Sequence, residues 1–132
     1  MRLIEFSYTL YKGLSVPIIP VQLQSQGEWF DLWAFVDSGA TYSIFTMRDA
    51  AGMGLNLGQA VQRFIVVGDG SFIRMFVQKV PVKIGHVWIN TTIGFSAQLG
   101  ADINLLGHTD IFDRCIITFN RPQGIVTFKL HK

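Results

Sequence analysis

The chain has a single cysteine, Cys115, among its 132 residues. No internal disulfide can form, so nothing in the covalent chemistry asks for an oxidising compartment, and a reducing cytoplasmic setting is expected. Charge is also scarce: Asp, Glu, Lys and Arg make up 15% of the residues, with a formal net charge of +2. The Lys and Arg residues are scattered rather than gathered into a run or along one face, which argues against nucleic acid as the main partner. Apolar stretches are short, broken by Gly, Asn or charge, and none approaches the roughly 20 residues of a membrane helix, so no membrane partner is expected. Arg2 and Glu5 near the start do not suit a signal peptide. No internal repeat, linker or low-complexity tract is visible. His86, His108 and His131 fall at no ligand spacing, so neither a metal nor a cofactor is expected.

The chain does have enough apolar surface for a core. Hydrophobic residues make up 49%, and the length suits one domain spanning residues 1–132. Short β-branched and aromatic runs separated by Gly, Asn, Asp and Pro predict an all-β domain of hairpins. Val16 to Gln24 and Trp29 to Val36 read as a first hairpin around Ser25, Gln26, Gly27 and Glu28. Thr46 and Asp49 form a capping box that starts a short helix bounded by Gly52 and Gly54. Gln62 to Val67 and Phe72 to Val77 read as a hairpin with a mobile tip at Gly68, Asp69, Gly70 and Ser71. Strands are expected at Val80 to Ile84, Val87 to Phe95 and Leu99 to Leu106, then one or two helical turns over His108 to Arg114. Cys115 to Phe119 and Gly124 to Leu130 close the chain as a last hairpin, with Cys115 as a buried structural residue.

One stretch carries chemistry: Ala34, Phe35, Val36, Asp37, Ser38, Gly39, Ala40, Thr41. An apolar strand runs straight into a carboxylate, where desolvation costs several kcal/mol unless the group is hydrogen-bonded, paired or protonated. Such positions are functional candidates. Asp, Ser and Gly are also ordinary turn formers, so the tripeptide by itself is equally an unremarkable turn.

The wider context resembles the retropepsin family of aspartic proteases. That family has an apolar strand, then Asp, Thr or Ser, Gly and Ala, matched here by Phe35 to Ala40 and followed by Thr41 to Phe45. Its downstream mark, two aliphatics and a Gly before a short helix, is matched by Leu105, Leu106 and Gly107. Between the two the family places a flap, where this chain has the turn from Val66 to Phe72. The resemblance runs from about Val16 to Phe119 and implies a retropepsin-like closed β-barrel of hairpins with a flap and one or two short helices. The continuation through Gly124 to Leu130 is more like cellular and bacterial members than viral ones.

What the resemblance implies for function is an aspartic endopeptidase. Asp37 would pair with its copy in a homodimer, because the chain contains no second Asp, Ser, Gly context. Ser38 would hydrogen-bond across the dimer, and Gly39 would let a peptide or protein substrate approach and accept from its backbone. Ala40, Leu105 and the flap residues Val66, Val67, Gly68, Asp69 and Gly70 would line apolar subsites. Viral members often carry an Asp two residues after the motif glycine, paired with an Arg after the downstream glycine. Thr41 and His108 stand there instead, and His108 is expected to cap the short helix or face solvent. Two other readings fit the sequence. One is a catalytically silent dimer of the same fold, acting as a peptide-binding module or scaffold. The other is a small β-barrel that binds a ligand or nucleic acid. For it, Trp29, Trp33, Phe35, Phe64, Phe72, Phe76 and Trp88 would have to form a binding face, whereas strand aromatics are more often core.

Overall fold

Residues of alternating polarity dominate the chain, and in the computed structural model, which describes residues 3–100 and 102–131, they form twelve strands among the described residues. In order these are β1 (Leu3–Ser7), β2 (Thr9–Tyr11), β3 (Leu14–Val16), β4 (Ile18–Ser25), β5 (Glu28–Val36) and β6 (Ser43–Thr46). After the helix α1 (Met47–Gly52) come β7 (Val61–Val66), β8 (Phe72–Ile84), β9 (Val87–Ser96), β10 (Asn104–Leu106), β11 (Cys115–Asn120) and β12 (Ile125–Leu130). The all-β expectation holds.

Strands β4, β5, β10, β6, β9 and β8 follow one another in a single sheet, and β8 returns to β4 through Gln22↔Lys83 and Leu23↔Val82. The sheet therefore closes into a barrel, which leaves no exposed edge around the ring. On β4, Ile19, Val21 and Leu23 point inward, and Ala34 and Val36 do so on β5. They meet Phe45, Val80, Val82, Ile93, Phe95 and Leu106 in one core. A separate three-stranded sheet, in the order β1-β12-β11, adds Val126 and Phe128 to that core. Strand β7 pairs only with the first half of β8, from Val61↔Val77 to Val66↔Phe72, and so stands off the ring as a hairpin. Beneath it lies a small second cluster of Ile44, Ile73 and Met75, with Tyr42, Ile65 and Val67 packed against it.

Several elements differ from expectation. The strand expected over Val16 to Gln24 is broken at Pro17, which ends β3 and separates it from β4; a proline has no N–H to give to a ladder. The first turn is tighter than expected, with Gln26 (φ 53°) and Gly27 (φ 79°) both left-handed, the pattern of a two-residue hairpin turn. Two strands expected on either side of Gln78 and Lys79 are one continuous β8, because β9 pairs along that whole stretch. The strand expected at Leu99 to Leu106 shrinks to β10, and the chain before it turns at Asp102 (φ 53°). The helical turns expected over His108 to Arg114 are present as a 3-10 turn at Phe112–Arg114. Gly52 lies inside α1, and it is left-handed Gly54 that follows the helix end.

The aromatics of the strand runs are not mainly core. Trp33, Phe64, Phe72 and Trp88 are all more than half exposed, while Phe45, Phe95 and Phe128 fill the interior. Strand alternation is the reason: where Ala34 and Val36 face inward, Trp33 must face out. Cys115 is half-buried against the core edge rather than fully enclosed, and burial pushes its thiol pKa up.

Candidate active site

Strand β10 lies between two strands that sit on either side of Asp37 in sequence. It runs parallel to β5 through Asn104↔Ala34, Leu105↔Phe35 and Leu106↔Val36, and antiparallel to β6 through Leu105↔Ile44. The loop from Asp37 to Tyr42 must therefore cross the end of β10, over Gly107. A β-carbon on Gly107 would collide with the backbone of both Ala40 and Tyr42. Only glycine allows this crossing. The Gly107 N–H donates to the buried Ser43 hydroxyl at 3.0 Å, which satisfies a donor that the crossing shuts away from water.

This crossing fixes Asp37. Its backbone N–H donates to the Leu106 carbonyl at 3.0 Å, and its Oδ1 accepts the Gly39 N–H at 2.9 Å. The carboxylate is half-buried and opens into a cavity of about 430 Å³. The walls are Gly39, Ala40, Thr41, Tyr42, Ile44 and Leu105, and the hairpin residues Ile65, Val66, Val67 and Gly68 close one side. Asp37 is the one carboxylate in the lining, among mostly aliphatic side chains and the hydroxyl-bearing Thr41 and Tyr42. A neighbouring cavity of about 450 Å³ shares Val67, Gly68 and Leu105 with the first and continues past Asp69, Ile73, Leu99 and Ile103. A larger cavity of about 540 Å³, around Trp33, Arg48 and Asp102, does not include Asp37. Volume alone does not select a site; the held carboxylate with its mostly aliphatic walls does.

The expected site residues divide accordingly. Asp37, Gly39, Ala40, Val66, Val67, Gly68 and Leu105 line the first cavity, and Asp69 lines the second. Ser38 is exposed on the loop and Gly70 sits at the hairpin tip, each outside both linings. The tip is stitched together: Asp69 Oδ1 accepts from the Ser71 hydroxyl and, at 2.9 Å, from the Ser71 N–H, while Gly70 (φ 85°) makes the reversal. These bonds hold the Asp69 carboxyl below the usual range. Tyr42, Ile44, Ile65, Leu99 and Ile103 are lining residues that sequence reasoning misses, because as isolated apolar positions in strands and loops they look like core.

His108 is exposed, as expected, and also braces the Asp37 loop. Its ring Nε2 donates to the Ser38 carbonyl, its ring stacks on Phe112 with centroids 4.8 Å apart, and its N–H donates to the Ala40 carbonyl at 2.9 Å. Thr109 gives both N–H and hydroxyl to the Thr41 carbonyl, each at 2.9 Å. Around Thr41 and His108 the loop is thus held by hydrogen bonds to backbone carbonyls.

The capping box at Thr46 is half formed. Asp49 N–H donates to the Thr46 hydroxyl at 3.1 Å, but the Thr46 N–H goes to Asn104 Oδ1 at 2.9 Å rather than to Asp49. Buried Asn104 then donates to Asp49 Oδ2 and to the Trp33 carbonyl, both at 2.8 Å. One amide thereby ties β10, β5 and the start of α1 together.

The fold is retropepsin-like. A structure of a retropepsin-like aspartic protease from Rickettsia conorii superposes with a TM-score of 0.67 at 18% identity, covering 96% of this chain and 98% of that one. EIAV protease complexed with the inhibitor HBY-793 superposes with a TM-score of 0.58 at 20% identity, covering 76% of this chain and 88% of that one. No protein-family model matches the sequence, and no curated protein does.

Proposed function

We propose that the chain is an aspartic endopeptidase whose site is completed by a second copy of itself. The observation that carries this reading is the Asp37 carboxylate, held by the Gly39 N–H at 2.9 Å and facing a cavity under the β7–β8 hairpin. Peptide hydrolysis by this route needs two carboxylates sharing one proton. One takes a proton from the attacking water, and the other protonates the carbonyl oxygen of the scissile bond. Asp37 supplies one carboxylate per subunit, Ser38 braces the loops across the twofold axis, and Gly39 receives the substrate backbone. Ala40, Leu105, Val66, Val67 and Gly68 contact its side chains, and Asp69 and Gly70 belong to the flap that closes over it. Activity is bell-shaped in pH, because one carboxylate must be ionised while the other holds its proton.

The surface for the second copy is the free edge of β11. That strand is Cys115–Ile116–Ile117–Thr118–Phe119–Asn120, six residues without a charge or a proline, with Ile116 and Phe119 exposed. Edge strands kept monomeric usually carry such guards. At the opposite edge of the same sheet, β1 carries Glu5.

The test is the sedimentation mass of the protein and of Asp37→Asn, with cleavage of a mixed peptide library by each at acidic to neutral pH. A dimer that cleaves, and an Asp37→Asn dimer in which cleavage falls by about 10²-fold or more, support the mechanism. A monomer without activity refutes it.

A further inference from the structure

We propose that His108 is a positioning residue that sets the Asp37 carboxylate through a single peptide plane. Its kinetic consequence rests on the protease reading above, but its geometry does not. The peptide between Ser38 and Gly39 is bonded at both ends. Its C=O accepts from the His108 ring Nε2, and its N–H donates to Asp37 Oδ1 at 2.9 Å. The plane is rigid, so a rotation that loses one bond loses the other. The two bonds also polarise each other, since a carbonyl that accepts makes its own N–H a better donor.

The ring is itself held. Phe112 stacks on it with 11° between the planes, and the His108 N–H is anchored to the Ala40 carbonyl at 2.9 Å. Any residue at 108 provides that backbone bond, but only a side-chain donor of the right reach provides the bond to Ser38. A carbonyl can only accept, so Nε2 is the donor in this contact. Ser38 and His108 are both exposed. Water can replace the lost donor at little cost in stability, so the effect falls on the orientation of the carboxylate.

Three variants separate the contributions. His108→Phe keeps a ring to stack on Phe112 and has no donor, His108→Ala lacks both, and His108→Gln carries an amide nitrogen at about the reach of Nε2. Two readouts are taken on the full-length chain: the exchange rate of the Gly39 amide proton by NMR, and kcat and KM on a cleaved peptide. In the Phe and Ala variants, Gly39 exchange should quicken about tenfold and kcat should fall by about ten- to a hundredfold with KM within about twofold. The melting temperature should stay near the parent's, and Gln should recover both readouts. Phe matching the parent in Gly39 exchange, or Gln doing no better than Phe, overturns the proposal. If the parent cleaves nothing, the protease reading fails, and Gly39 exchange alone decides the role of His108.

Discussion

A β-carbon on Gly107 would lie 2.6 Å from the carbonyl oxygen of Ala40, a distance that backbone atoms cannot relax easily because both segments are strand-anchored. Gly107→Ala must push the Asp37 loop off β10. We expect a loss of about 1–3 kcal/mol from the overpacking, read as a lower midpoint in urea with unchanged slope. Cleavage should suffer more than stability, because the displaced loop carries the carboxylate. An alanine variant of parental stability would show that the crossing is looser than described.

Asn104 makes a different test, one of hydrogen-bond satisfaction. Replacing it with Leu keeps the approximate volume but leaves the buried Thr46 N–H without its 2.9 Å acceptor. The cost should be about 1–3 kcal/mol, and Asn104→Asp should not recover it, because a carboxylate restores the acceptor for Thr46 but has no donor for the Asp49 carboxylate and the Trp33 carbonyl. Denaturant titration of the two variants checks both.

Asp110 gives the fold an acid limit. Burial acts to raise its carboxyl, but the Thr92 N–H and the Lys79 ammonium outweigh it and hold the pKa below the usual value. A depressed carboxyl contributes stability that is complete above the unfolded pKa and is lost as pH falls through the folded one. Stability should therefore decline below about pH 4. Asp110→Asn should lower stability at neutral pH by on the order of 1 kcal/mol, since Lys79 and Arg114 are half-exposed and screened. It should also flatten the acid limb. Urea midpoints from pH 2.5 to 7 test both.

Ile116→Lys places a charge on the free edge of β11. It should convert the proposed dimer to monomer and abolish the proposed cleavage, while far-UV circular dichroism stays unchanged, because Ile116 is half-exposed. Glu5→Lys at the β1 edge should leave the dimer intact. Retained dimer in the Ile116 variant would put the interface elsewhere without touching the role of Asp37.

How much of this was legible before the structure depends on the residue. Asp37 to Ala40, Leu105 to Gly107 and the Gly68 to Ser71 turn could be read because few residue types suit a carboxylate at a strand end, a backbone crossing or a tight reversal. Strands β2 and β3 could not, since they have three residues each and give alternation no length to register. Asn104 reads locally as a strand residue; its three bonds reach Thr46, Trp33 and Asp49, all distant in sequence. Likewise, nothing near Trp33 or Phe72 says which face of the strand is wet.

Strand β8 runs unbroken for 13 residues, its first half carrying β7 and its second half closing the ring against β4. The roof over Asp37 and the barrel wall are thus one piece of backbone. Repacking at Val80 or Val82, deep inside, would tilt that backbone and alter the clearance above the carboxylate. On the proposed protease reading, substrate preference can drift through substitutions that never touch substrate, so libraries seeking new specificity should sample the interior as well as the cleft.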